Sequence, residues 1–177
     1  MIPFWKKFGK DRRGVAAVEF ALIAPVMVLL YCGLVELTQA LIAERKTNHV
    51  ASTIGDLTTQ ADTVSTTDIS DIFSVGNTIM SPFPTGSLQM RLTSITADAN
   101  GAPKVTWSRG TGGMTALGVG GAVSIPLTLA AGDSIVMAET KYQYVSMLQY
   151  VLPSALNYSE VYYLRPRRSD SVTCPTC

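Results

Sequence analysis

The sequence is poor in histidine and cysteine, the residues on which many enzyme and metal sites depend. Its 177 residues include one histidine, His49, and three cysteines, Cys32, Cys174 and Cys177. A single histidine excludes a metal site with several histidine ligands. It also cannot act both as the base that activates a nucleophile and as a metal ligand. The aspartates are scattered through expected helix ends and loops, where they are more simply caps. We therefore expect no enzymatic activity, no metal and no cofactor.

Charged residues are also scarce, at 15% of the chain, and the formal net charge is +1. The basic residues are concentrated at the start of the chain and at residues 165–168, the others are scattered between, and no basic stripe is interleaved with aromatic residues. This distribution predicts no nucleic-acid partner. The glycine-rich segment 110–121 lacks the strand, lysine and helix of a phosphate-binding loop, so we interpret it as a flexible surface loop.

A long apolar run near the start of the chain is the strongest positive feature. Residues 15–43 contain only two charged side chains, Glu19 and Glu36. About 20 mostly apolar residues are enough for a helix to span a bilayer. The basic residues that precede the run are Lys6, Lys7, Lys10, Arg12 and Arg13. By the positive-inside rule, residues 1–14 form a cytoplasmic leader, residues 15–43 cross the membrane, and residues 44–177 form an extracytoplasmic domain.

Glu19 lies where a carboxylate is disfavoured and therefore needs a functional reason. An acid at the centre of a membrane helix costs about 2.5–3.5 kcal/mol, and less near an interface. The start of a helix also favours a negative charge. A free amine beside Glu19 would be a better partner still. Cleavage after Gly14 would create that amine at Val15 and make Glu19 the fifth residue of the mature helix.

Several features of this part of the chain together resemble a known family. They are the basic leader, Gly14, the segment V-A-A-V-E-F at 15–20, Pro25 and the segment G-L-V-E-L at 33–37. They are most similar to the TadE-like minor pilins, or pseudopilins, of the tight-adherence (Tad) branch of type IV pilus systems. The resemblance implies that a prepilin peptidase cuts after Gly14, so that Val15 becomes the N-terminus. It also implies that the Glu19 carboxylate neutralises the amine of a neighbouring subunit, because two opposite charges buried together lose less than either alone.

The periodicity after the apolar run predicts an α+β domain, and the resemblance implies that it is of pilin-like type, in which a long N-terminal helix packs on a small antiparallel sheet. The expected apolar stripe of this helix comprises Leu37, Leu41, Val50, Ile54, Leu57 and Ala61. A second helix is expected from Asp68 to Met80, with Thr67 as its N-cap. Pro25 is expected either to kink the first helix or simply to be tolerated there.

Alternating apolar and polar residues predict strands in the second half of the chain. A hairpin is expected from strand 88–97, a turn at 98–103 and a return strand at 104–109. Asp98, Asn100 and Gly101 resemble the start of a calcium loop, but no later acids complete it, so we interpret them as a turn. Further strands are expected at 134–144 and 160–165. The intervening residues 147–156 favour either a short helix or a loop interrupted by Pro153.

The last third of the chain contains two further clusters of interest. Cys174 and Cys177 are expected to form a small disulfide in an oxidising compartment, or to bond to a neighbouring chain. A thiol oxidoreductase would place such a motif at a helix N-terminus, and we expect no helix there. The second cluster consists of tyrosines, which we interpret as packing residues or, as the alternative, as an adhesive or subunit-contact surface. They are Tyr142, Tyr144, Tyr150, Tyr158, Tyr162 and Tyr163.

The resemblance implies a minor pilin that primes or modulates assembly of a Tad-type pilus used in surface adhesion. The expected partners are a prepilin peptidase, other pilin and pseudopilin subunits, an inner-membrane assembly platform and membrane lipid. The protein is expected to cross the inner membrane once, with its domain in the periplasm. The alternative is an uncleaved, membrane-anchored binding or scaffolding domain. A secretory signal peptide fits less well, because the apolar run is long and contains acids.

Overall fold

A computed structural model describes residues 14–152 and 154–177, and it has an α+β architecture. A long N-terminal helix packs against one face of a four-stranded sheet, with a short second helix beside it. The elements are α1 (Val15–Thr59), α2 (Thr66–Met80), β1 (Leu88–Ala97), β2 (Pro103–Thr111), β3 (Ser134–Tyr144) and β4 (Leu156–Leu164). The sheet order is β2-β1-β3-β4, and every neighbouring pair is antiparallel. The predicted fold class is confirmed.

Helix α1 has two halves with different surroundings. It runs through Pro25 without interruption and has no buried residue before Gly33. Its second half packs on the sheet through small and medium side chains. The buried residues of this face include Ala40, Ala43, Val50 and Ile54.

The predicted apolar stripe of α1 is wrong in its first part. Leu37 and Leu41 are 47% and 57% exposed, whereas Glu36, Ala40 and Ala43 face the domain. The sheet approaches α1 closely at this level, since the Tyr158 hydroxyl donates a hydrogen bond to the Ala40 carbonyl at 3.0 Å. Small residues therefore occupy the contact, and the leucines point elsewhere. Hydrophobic periodicity alone does not distinguish these two faces, because both are largely apolar.

Helix α2 begins two residues earlier than predicted, and its N-cap is Ser65 instead of Thr67. The Ser65 hydroxyl accepts a hydrogen bond from the Asp68 backbone N–H at 3.2 Å, and the Asp68 carboxylate accepts one from the Ser65 N–H at 2.8 Å. This reciprocal pair is a capping box. The Ser65 N–H and hydroxyl donors hold the pKa of Asp68 below its usual value. The helix ends at Met80, as predicted.

The strands follow the predicted alternation, with changes at the ends of two of them. β1 and β3 have the predicted bounds, β2 extends from Pro103 to Thr111, and β4 begins at Leu156, four residues before the predicted start. In the turn between β1 and β2, Asp98 Oδ1 accepts hydrogen bonds from the N–H groups of Asn100 and Ala102. These donors lower the pKa of Asp98. The interpretation of this segment as a turn is confirmed.

The glycine-rich segment 110–121 is partly strand and partly covering loop. Gly110 and Thr111 belong to β2, and the loop is tied back to that strand by the Gly120 N–H, which donates to the Val105 carbonyl at 2.8 Å. The chain that follows lies over the sheet face opposite α1. A small second core there buries Ile95, Ala97, Leu129, Ile135 and Met137. The segment therefore helps to cover apolar residues that alternation places away from the helix.

The tyrosines of the last third mostly pack or tie α1 to the sheet. Tyr142 and Tyr144 are buried at 3% and 7% exposure, and the Tyr162 hydroxyl donates to Asn48 Oδ1 at 2.8 Å. Burial raises the pKa of Tyr142 and Tyr158. Tyr150 differs, because it is 65% exposed. The packing interpretation therefore holds for the sheet tyrosines and fails for Tyr150.

Replacing Ser65 with alanine should lower the free energy of unfolding of the domain by about 1 kcal/mol, because the cap hydrogen bond to Asp68 is lost. Urea unfolding of the full chain in detergent micelles would measure this change. Thr67→Ala is the matched control, since Thr67 is exposed inside the first turn and is expected to change stability little. Equal losses in the two variants would contradict the assignment of the cap.

Candidate functional site

The first half of α1 projects away from the domain as an exposed apolar rod. Phe20, Leu22 and Leu30 are 72%, 70% and 62% exposed, and the most apolar window of the helix has a mean hydropathy of 2.3 with none of it buried. The 18 residues from Val15 to Cys32 measure about 27 Å at the helical rise per residue. A bilayer hydrocarbon core is about 30 Å thick. This helix is long and apolar enough to anchor the chain in a membrane.

The predicted processing residues lie at the free end of this rod. Gly14 is exposed and immediately precedes the first helical residue, Val15. Nothing described lies within 4 Å of the position that a Gly14 side chain would take. The junction between Gly14 and Val15 is therefore sterically open on its described side. The basic leader, including Arg12 and Arg13, lies outside the described residues.

Glu19 is exposed on α1, four residues after Val15 and about 6 Å further along the helix axis. Within residues 14–152 and 154–177, no hydrogen bond or ion pair involves its carboxylate. The domain core begins only at Gly33. Glu19 is thus presented to whatever surrounds the apolar rod.

Glu36 forms a second site, which was not predicted from the sequence. It is 2% exposed, and the segment 146–152 between β3 and β4 is wrapped around its carboxylate. One oxygen accepts hydrogen bonds from the Ser146 hydroxyl at 2.8 Å and the Tyr150 N–H at 2.9 Å. The other oxygen accepts from the N–H groups of Val151 at 2.7 Å and Leu152 at 3.1 Å. Consecutive backbone N–H groups aimed at one anion form a backbone nest.

The helix surface beside Glu36 is shaped to let this segment approach. A side chain at Gly33, one turn earlier, would place its Cβ 3.0 Å from Val151 Cγ2. The segment is irregular over its described residues, so the predicted short helix is absent there and the loop alternative holds. Pro153 lies outside the described residues. The signal that could have identified the site was an acid at the end of an apolar run, which usually requires a partner.

The two C-terminal cysteines lie in a segment that straps the helices to the sheet. The Trp107 indole N–H donates to the carbonyl of buried Val172 at 2.8 Å, and the Val64 N–H donates to the Thr173 carbonyl at 2.9 Å. Cys174 and Cys177 are joined by a disulfide with their Cα atoms 5.4 Å apart. No described helix follows Cys174. Across the described ranges, no group of three His, Cys, Asp or Glu side chains is arranged to hold a metal ion.

The comparison with known families concerns α1. A family model described as TadE-like protein matches residues 14–55. The chain carries a TadE-like segment. This TadE-like segment begins at Gly14, contains Glu19, Gly33 and Glu36, and ends shortly before α1 does. The recognised resemblance is thereby confirmed and indicates a protein associated with Tad pilus systems.

The sheet domain has no counterpart among the comparisons. No curated protein and no solved structure matches the chain. The partners of Glu36 in segment 146–152 lie outside the TadE-like segment. The Glu36 site therefore joins the family-matched helix to the part of the domain that is not matched.

Replacing Glu36 with glutamine should release segment 146–152. Only the oxygen of an amide accepts hydrogen bonds, so the amide nitrogen would face donors from which it cannot accept. We expect the amides of Tyr150, Val151 and Leu152 to exchange hydrogen roughly tenfold faster or more, as expected on losing hydrogen bonds to a charged group. Hydrogen exchange with mass spectrometry on the full chain in lipid nanodiscs would measure this.

Glu44→Gln is the matched control for this variant. Glu44 is an exposed acid on the same helix, eight residues further on. Its substitution should leave exchange in segment 146–152 unchanged. Unchanged exchange in Glu36→Gln as well would show that the carboxylate does not hold the loop.

Proposed function

We propose that this protein is a minor pilin, or pseudopilin, that primes or modulates assembly of a Tad-type pilus used in surface adhesion. The observation that supports this most strongly is the coincidence of the TadE-like segment with the helix that projects from the domain. Its end carries an exposed Gly14–Val15 junction and an exposed Glu19. The proposed role is structural and not enzymatic.

The proposed first step is cleavage after Gly14 by a prepilin peptidase in the inner membrane. Water adds across the peptide bond, so the leader leaves with a carboxylate and Val15 acquires a free amine. The open geometry on the described side of Gly14 supports this step, because a protease needs access to the bond that it cuts. The basic leader favours retention in the cytoplasm, with the sheet domain in the periplasm.

The proposed second step uses Glu19 during assembly. The carboxylate of one subunit pairs with the Val15 amine of a neighbouring pilin or pseudopilin as helices leave the membrane through an assembly platform. Both groups lie on an apolar rod, where each alone would be an uncompensated charge. Pairing them fixes the axial register of one helix against the next. The exposed position of Glu19 supports this role, since no part of the described domain covers it.

The mature N-terminus should be Val15 when the cognate prepilin peptidase is co-expressed, and Met1 when it is absent or inactive. Intact-mass measurement and N-terminal sequencing of the purified chain would check this. Gly14→Leu should block the cut, because a large side chain on the residue before the cleaved bond would obstruct binding to the peptidase. A chain that keeps its leader beside an active peptidase would instead favour the uncleaved membrane anchor.

Glu19→Leu should leave the amount of membrane-inserted protein and its cleavage unchanged, because leucine suits the apolar rod better than glutamate. Pilus number and surface adhesion should fall to the level of a deletion strain. Electron microscopy of surface pili and an attachment assay would measure both. Glu44→Leu, on the same helix but outside the apolar rod, is the control and should retain pili. Normal pili in Glu19→Leu would overturn the proposed role of this carboxylate.

A further inference from the structure

Segment 145–151 exposes an unusual concentration of apolar side chains for a loop. Met147 is 97% exposed, Tyr150 65%, Leu148 55%, Val145 51% and Val151 46%. The chain from Val145 to Ala155 contains no charged residue. An exposed apolar patch at one end of a domain usually marks a contact surface.

The position of the loop along α1 identifies its surroundings. Val151 lies against Gly33, and the backbone of the loop is bound to Glu36. Counted from Val15 at the helical rise per residue, these positions are about 27–32 Å along the axis. This distance matches the far edge of a hydrocarbon core about 30 Å thick. The loop is thus level with the boundary between acyl chains and headgroups on the side of the domain.

The charge distribution supports the same level. After Glu19, the only charged residue before Glu44 is Glu36, whose carboxylate is buried under the loop. Glu44 is about 12 Å beyond Glu36 along the axis, which is outside a headgroup layer about 5–8 Å thick. Leu34, Leu37 and Leu41 are exposed on α1 over this stretch. The helix surface at the level of the loop therefore suits lipid better than water.

We propose that segment 145–151 is a second membrane contact, seated in the lipid interface on the domain side, and that Glu36 positions it. The partner is a phospholipid surface, and a zwitterionic one suffices because the loop has no charge. Tyr150 has the amphipathic side chain that is enriched at this depth. In an interface with little water, the buried carboxylate and the loop N–H groups satisfy one another, as poorly hydrated polar groups must. The proposal rests on membrane anchoring by α1 and not on cleavage or pilus assembly.

The depth of residue 147 in lipid nanodiscs tests this proposal. A single thiol is placed by Met147→Cys in a Cys32→Ser background, with the Cys174–Cys177 disulfide retained, and it is labelled with a polarity-sensitive fluorophore. The full chain is reconstituted in phosphatidylcholine nanodiscs at one chain per disc. Expected results are a blue-shifted emission and strong quenching by lipids with a nitroxide near the headgroup. Val119→Cys is the control, since Val119 is 75% exposed on the loop between β2 and β3.

The control label should emit as in water and be quenched by aqueous iodide. The same behaviour at Met147 would overturn the proposal. A blue shift at Met147 that appears only when several chains share a disc would also overturn it, by assigning the loop to contact between copies. Adding Glu36→Gln to the Met147 label should reduce the quenching by lipid nitroxides. A membrane-seated loop together with a leader that stays uncleaved beside an active prepilin peptidase would reject the pilin role while leaving this inference standing.

Discussion

One helix combines a stretch suited to lipid with a stretch packed on a sheet, and the rest of the molecule is arranged around their junction. From Val15 to Cys32, α1 is apolar apart from Glu19, and none of its residues is buried in the domain. From Gly33 onward it is one-sided, with small residues toward the sheet. The change occurs within one turn, and Glu36 lies in that turn. Its four hydrogen bonds compensate the buried carboxylate and make it the attachment point of a loop.

This arrangement explains why the contact face of α1 is built from small residues. Close approach of the loop and β4 requires Gly33 and Ala40 where leucine would ordinarily be expected, and the tyrosine hydroxyls then reach the helix backbone and Asn48. Gly55 repeats the pattern further along, since an added Cβ would lie 3.0 Å from the Ala138 Cβ on β3. The sheet is therefore held against α1 by hydrogen bonds and short contacts as well as by apolar burial.

The sequence was sufficient for those features that depend on local pattern. Alternation predicted β1 and β3 with their observed bounds, and composition predicted the apolar rod, because neighbouring residues alone decide both. The exposed positions of Leu37 and Leu41 were not predictable, since the choice between two apolar faces is made by the sheet. The N-cap was misplaced because Thr67 and Ser65 are both good caps, and only the position of Asp68 relative to Ser65 distinguishes them. The partners of Glu36 lie more than a hundred residues away and leave no local signal.

The C-terminal strap has a consequence for how the chain reaches its folded state. Thr63 and Thr173 are hydrogen-bonded across a separation of 110 residues, and Val172 is fully buried beneath Trp107. The partners of these contacts in the first part of the chain are synthesised well before residues 172 and 173, so the contacts cannot close until the C-terminal segment is available. Contacts between such distant residues also form slowly. The strap is therefore among the last parts of the domain to form, and the helices cannot be secured to the sheet through it before then.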